Sequence, residues 1–297
     1  LSDGKETSHL QWLPATISGI YVKCVVSTVE NARSLQILHD LSPSPWELIV
    51  RPLNTSTRID IVQHYLGRYS KRLDPNQLAL LTKCDGAKNA LWLTLACEEL
   101  RVFGVFERLT QRIQTLPGKL EGLLSDILNR LVKEDLTDCI AKVLSLLYCS
   151  QAGLLETELQ MLLGDVESNT PLPMLPWAQV RRTLKPFLRN IGLVGGVERW
   201  DFFHQSIAKA VEDHWLQDVE NRKNCHLELA DFYQYYNNNN FAVTQNLPYH
   251  LQRAGQIQRM VEFFQKDQRS LQMNQAHKSQ YLRDSSIKEM LATTPSL

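Results

Sequence analysis

Along most of the chain, apolar residues recur every three or four positions, the spacing of helices buried along one face. The segment at 54–73, "NTSTRIDIVQHYLGRYSKRL", places Ile59, Val62, Tyr65 and Leu66 on one stripe, behind Ser/Thr candidates for a helix cap. In "DPNQLALLTKC" Asp74 is a cap candidate and Pro75 fits the first helical position. "NALWLTLACEELRVFG" predicts a strongly apolar helix ended by Gly104, and "FERLTQRIQTL" predicts another. Further on, "LEGLLSDILNRLVKE" carries Leu120, Leu123, Leu124, Ile127, Leu128 and Leu131 on one face. "TDCIAKVLSLLYCS" and "LLETELQMLLGD" predict two more helices, broken at Gly153 and Gly164. Beyond the proline-rich "NTPLPMLP", "WAQVRRTLKPFLRNI" predicts a fourth.

Two stretches depart from this period. "YVKCVVSTV" at 21–29 is almost continuously apolar, which predicts a strand covered on both faces, as in a parallel sheet. "ENARSLQILHDL" after it predicts a helix from its leucine spacing, and "SPSPWELIVRPL" an extended connector. "GLVGGVERWDFF" predicts a β-hairpin with a Gly195-Gly196 turn. Past 216, "HLELADFYQYY" and "LPYHLQRAGQIQRMVEFFQK" predict amphipathic helices, with an Asn-rich turn at 237–240 and a break at "RAGQ". Helices so interrupted suit antiparallel helical hairpins of the α-solenoid kind.

Composition narrows the classes. The chain has 297 residues, 43% of them apolar, enough for a large core and about two domains. With 32 basic and 32 acidic residues, no global field attracts nucleic acid or an anionic membrane. No apolar run reaches the ~18 residues of a membrane span. Six scattered cysteines without a C-x-x-C pair predict reduced thiols in an intracellular, cytoplasmic protein. No spacing suits a metal site, and no Ser/His/Asp or Cys/His constellation stands out.

The phrases "LQWLPATISGIYVKCVVSTV", "LIVRPLNTSTRIDIVQHYLGRYSKRL", "EELRVFGVFERLTQRIQTLP" and "FFHQSIAKAV", in this order, resemble the STAND-class NTPases. The resemblance is to the NACHT branch with tetratricopeptide or WD repeats, of the nephrocystin and telomerase-associated-protein type, and covers about residues 10–265. It implies a mainly α chain. Residues 1–50 would be the tail of an α/β nucleotide-binding domain, 51–116 a helical bundle and 117–215 a winged-helix domain. Residues 216–285 would be TPR-like helical hairpins, and 286–297 a tail. No G-x-x-x-x-G-K-[ST] occurs; "LPGKLEG" at 116–122 lacks the first glycine and the Ser/Thr. Nor does an acidic residue end an apolar strand to hold magnesium. The expectation is a segment that begins after the Walker B strand, is not an enzyme by itself and holds no cofactor alone. ATP or ADP with magnesium is implied for the longer parent.

By the same resemblance, Ser27 and Thr28 stand where the family's sensor segment reads a terminal phosphate, although the first arginine, Arg33, comes several residues later. Ala90 stands where relatives often carry an adenine-side proline, leaving Asn89 only a cap role. His204 aligns with the histidine that reaches the β-phosphate of ADP, but Phe203-His204-Gln205 lacks the acid that usually follows. A plain core histidine is the competing reading. Arg181, Lys185 and Arg189, at i, i+4 and i+8 of the helix predicted before the hairpin, form a basic surface. On a DNA-binding winged helix this face would enter the major groove. Nearby Glu156, Glu158, Asp165, Glu198 and Asp201 favour a solvated face or acidic intramolecular partners instead.

The expected function is a regulatory and scaffold segment that couples nucleotide state to protein–protein interaction through helical repeats, with no membrane and no nucleic acid as partner. A winged-helix nucleic-acid binder and a nucleotide-independent helical scaffold are the alternatives.

Overall fold

The computed structural model describes residues 24–30, 32–40, 45–103, 108–237, 239–273 and 275–282. The chain divides into two units, Leu1–Pro52 and Leu53–Leu297. In the first, the described residues form one helix, α1 (Arg33–His39), inside the segment where leucine spacing predicts it. The strand predicted over 21–29 is not formed in its described part. Residues 21–23 lie outside the described residues, and 24–29 is irregular chain with Val25 98% exposed. An apolar run becomes a buried strand only between neighbours that take up its N–H and C=O groups. The described residues of this unit contain no strand.

The second unit is helical, as the periodicity predicts. α2 (Thr55–Gly67) packs on α3 (Pro75–Lys83) and α4 (Ala90–Val102), α3 packs on α5 (Leu109–Thr115), and α4 packs on α6 (Leu120–Lys133). The α2 cap is Asn54 rather than Ser or Thr, its Oδ1 accepting from the Thr57 N–H at 2.9 Å. Asp74 and Gln77 form a reciprocal capping box on α3, with Pro75 at the first position. Asn89 caps α4. Gly104 and the tail beyond 282 lie outside the described residues.

From α6 onward the order is α7 (Ile140–Cys149), β1 (Leu154–Leu155), α8 (Glu156–Leu163), α9 (Met174–Leu184), β2 (Leu188–Val194), β3 (Val197–Phe202) and α10 (Gln205–Trp215). The strands make one antiparallel sheet in the order β1-β3-β2. Periodicity missed β1, because two residues are too short to alternate. Gly195 and Gly196 both have positive φ, as a two-residue hairpin turn requires. Gly153 precedes β1 with φ +74, and a Cβ there would stand 2.4 Å from the Trp200 carbonyl oxygen on β3. Only glycine lets β1 approach β3 at that point.

α11 (Val219–Asp231) follows, then a π-helical turn at Phe232–Tyr236, α12 (Asn240–Arg253), α13 (Ile257–Lys266) and α14 (Gln275–Leu282). α11 packs on α12 and α12 on α13, the antiparallel succession predicted from the breaks at 237–240 and "RAGQ". Four of the six cysteines (Cys97, Cys139, Cys149 and Cys225) are buried, and all six are free thiols.

Glu98, Glu99 and Glu158 are buried in the helical packing, Glu99 most deeply. Glu99 of α4, its side chain 1% exposed, accepts from Arg130 of α6 at 2.8 Å and from Arg112 of α5 at 3.3 Å; Arg112 also pairs with Asp126 of α6 at 2.7 Å. This carboxylate joins three helices. Removing it leaves two mostly buried guanidinium groups short of counter-charge. Glu99→Ala is expected to lower unfolding free energy by about 3 kcal/mol, measured by urea denaturation.

Candidate functional site

α9 and the hairpin position the predicted basic residues. The helix predicted over 177–191 instead runs Met174–Leu184. Prolines in a first turn lack only N–H groups that have no helical partner, so Pro176 is tolerated. Pro186 cannot donate to the carbonyl four residues back and its ring clashes there, so the helix stops. Arg181, Lys185 and Arg189 therefore do not share a helical stripe. Arg181 lies on α9, Lys185 caps its C-terminus, and Arg189 lies on β2, directly opposite Asp201 of β3. Arg181 is engaged within the fold, 3.1 Å from Glu198 of β3 and 3.7 Å from Glu156 of α8. Its guanidinium also lies over the Trp200 ring, 5.5 Å from the centroid.

His204 is the joint between β3 and α10. It is exposed, which removes the core-histidine reading, and it is the N-cap of α10. Its Nδ1 accepts from the Ser206 N–H at 3.1 Å, so the neutral ring carries its proton on Nε2. Ser27 and Thr28 lie in the first unit, exposed and in irregular chain; Thr28 Oγ1 is 2.7 Å from Ser34 Oγ.

Sequence spacing did not find a second constellation, the seam where α11 and α12 meet α7, α8 and α10. Lys142 of α7 pairs with Glu228 of α11 at 2.6 Å, and Arg222 of α11 with Glu212 of α10 at 3.1 Å. Glu158 of α8 accepts from the Leu155 N–H at 2.9 Å and from Asn237 Nδ2 at 3.3 Å. Burial raises its carboxyl above the ordinary range despite these donors. Cys225 Sγ donates to the Ser145 carbonyl of α7 at 3.4 Å. His226 Nδ1 of α11 lies 3.0 Å from His250 Nδ1 of α12, so one ring donates and the other accepts. His250 is wholly buried and stacks on Tyr233, with Tyr249 edge-on. Burial, and secondarily His226, push its pKa well below the ordinary histidine value. These residues come from elements scattered over 142–250, so no local motif could announce them.

A cleft between α4, α6 and α9 is lined by Arg101, Arg130 and Arg182 together with Glu98, Glu134 and Asp135. Arg101 and Arg130 are already paired with Glu98, Glu99 and Glu134, so the cleft offers little free positive charge. Among the described residues, no group of His, Cys, Asp and Glu is arranged to hold a metal ion, and no helix is long and apolar enough to cross a membrane.

The chain is similar to telomerase protein component 1 of mouse, 27% identical over 209 residues, which is 63% of this chain and 8% of that protein. The rat protein of the same name is 29% identical over 157 residues, 52% of this chain and 6% of that one. A TPR repeat-containing protein of Dictyostelium discoideum is 24% identical over 256 residues, 85% of this chain and 15% of that protein. The chain thus spans a small fraction of each relative's length. No family model matches it, and no solved structure does.

The buried histidine gives a pH dependence with a definite sign. Its folded pKa is depressed, so the unfolded chain binds the proton more readily. The stability this contributes is present above the unfolded histidine pKa of about 6.5 and falls as pH drops below it. The urea midpoint is expected to decline between pH 7.5 and 5, and His250→Gln to flatten that decline.

Proposed function

We propose that this chain is the regulatory and scaffold segment of a STAND/NACHT-type NTPase, coupling the nucleotide state of a longer protein to protein–protein interaction. The observation that carries this reading is the setting of His204. Helix α7, strand β1, helices α8 and α9 and the β2–β3 hairpin follow in the order of a winged helix, with β1 pairing with β3. His204 comes two residues after the last strand, exposed, at the N-terminus of α10. A helix N-terminus and an exposed Nε2–H are both suited to a phosphate. The antiparallel helices α11–α13 and the similarity to a TPR repeat-containing protein support a protein-binding role for the C-terminal part.

Magnitudes bound what His204 does. A charge-assisted hydrogen bond to phosphate contributes about 1.5–3 kcal/mol, whereas moving a two-state equilibrium from 1:99 to 99:1 takes about 5.5 kcal/mol. His204 biases a closed, ADP-bound form and contacts between domains supply the rest. ATP or ADP with magnesium would be held mainly by the nucleotide-binding half of the longer protein, with Ser27 and Thr28 as the contribution of the first unit. The segment itself acts as a switch and scaffold rather than a catalyst.

The test uses the full-length protein. His204→Asn keeps a good helix cap while removing the imidazole, and His204→Ala removes both. Both are expected to release ADP about tenfold faster or more. Unchanged ADP retention in both variants sinks the reading. Steeply salt-dependent binding to duplex DNA, abolished by Glu at Arg181, Lys185 and Arg189, would favour a nucleic-acid reader instead.

A further inference from the structure

The α7–α11 seam brings two cysteines together. Cys149 is the last residue of α7 and Cys225 lies midway along α11, and the two helices pack directly. Cys225 Sγ donates to the carbonyl of Ser145, one helical turn before Cys149 on the same helix. This contact brings the Cys225 thiol to the end of α7 that carries Cys149, with His226 the next residue of α11. Cys149 is 1% exposed and Cys225 9%. Cys139, by contrast, donates to the carbonyl of Thr137 in its own loop.

We propose that Cys149 and Cys225 are a modification site, forming a reversible disulfide that fastens α11, and the helical hairpins it begins, to α7. The reaction takes a small peroxide as oxidant. The Cys149 thiolate attacks hydrogen peroxide, the O–O bond breaks, and Cys149 becomes a sulfenic acid with release of hydroxide. The Cys225 sulfur then displaces the sulfenic oxygen, forming the S–S bond. The Cys225 proton and the one already lost from Cys149 leave with the two oxygens as two waters. Two thiols are thus oxidised by two electrons and one peroxide is reduced.

The surroundings assign the roles. The Cys225 thiol, followed by His226, holds the Cys149 thiol below its usual pKa against the upward push of burial, making Cys149 the nucleophile. Sharing with Cys149, then burial, push Cys225 up, so it stays protonated until the sulfenic acid forms. His226, the residue after Cys225, lies 3.0 Å from His250 through their Nδ1 atoms, which ties this part of α11 to α12. The inference stands on the packing of α7 against α11 and not on the nucleotide reading.

The experiment treats the full chain with hydrogen peroxide, alkylates remaining thiols in denaturant and maps peptides by mass without reduction. The expected product is a peptide pair linked through Cys149 and Cys225, two hydrogens lighter than its parts and separated by dithiothreitol. Exposed Cys24 serves as the internal sign that oxidant has acted. The oxidised chain should melt about 5–10 °C higher than the reduced one. Cys149→Ser and Cys225→Ser should each abolish that increment, and Cys139→Ser should leave it. Should a serine variant fail to fold, the wild-type map still decides. Recovery of both thiols alkylated after Cys24 has been oxidised overturns the proposal, as does over-oxidation of Cys149 without a link.

Discussion

A helix that is apolar on nearly every side must be covered on nearly every side, and α7 sets this condition for the second unit. Ile140, Val143, Leu144, Leu146, Leu147 and Cys149 are buried among its ten residues. They are covered by α6, α8, β3, α10 and α11. Each covering element presents an amphipathic face, so the hydrophobic effect brings sequence-distant segments around one axis. The hairpin and the C-terminal helices thereby share a core with α7, although the sequence between them contains loops and a proline-rich stretch. Helices α2–α6 are held partly by the Glu99 carboxylate, whose two arginine partners fix how α5 and α6 sit against α4.

Apolar burial brings helices together without choosing their register, and the polar seam adds that choice. Glu158, the His226–His250 pair and Lys142–Glu228 each require particular partners at hydrogen-bond distance. A shift of α11 by one turn would leave the buried His226–His250 pair without its partners, a cost of about 1–3 kcal/mol for each neutral group, while the exposed Lys142–Glu228 pair would add little. His250 stands among these groups with a depressed pKa, so the docking of the C-terminal helices is itself sensitive to pH.

Two residue sets singled out from the sequence met different fates. The basic stripe dissolved because Pro186 ends α9, leaving Arg181, Lys185 and Arg189 on three different structural positions, with Arg181 neutralised by Glu156 and Glu198. His204 stands at the joint between a strand and a helix, as an exposed cap rather than a core residue. The proposed nucleotide role uses that exposure; a buried imidazole could not have served it.

The sequence by itself determined the helices and most of their ends. Apolar spacing, Asp74-Pro75, Asn89 and the Gly195-Gly196 turn act within a few residues, through dihedral preference and local hydrogen bonds. Tertiary structure alone decided the rest. β1 exists only because β3 lies beside it, and the apolar run at 24–29 is no strand because no neighbour among the described residues pairs with it. The seam of Cys149, Glu158, Cys225, His226 and His250 was illegible for the same reason. Hydrogen bonds between side chains far apart in sequence depend on where packing carries them, and pattern along a chain records which face is apolar but not what will cover it.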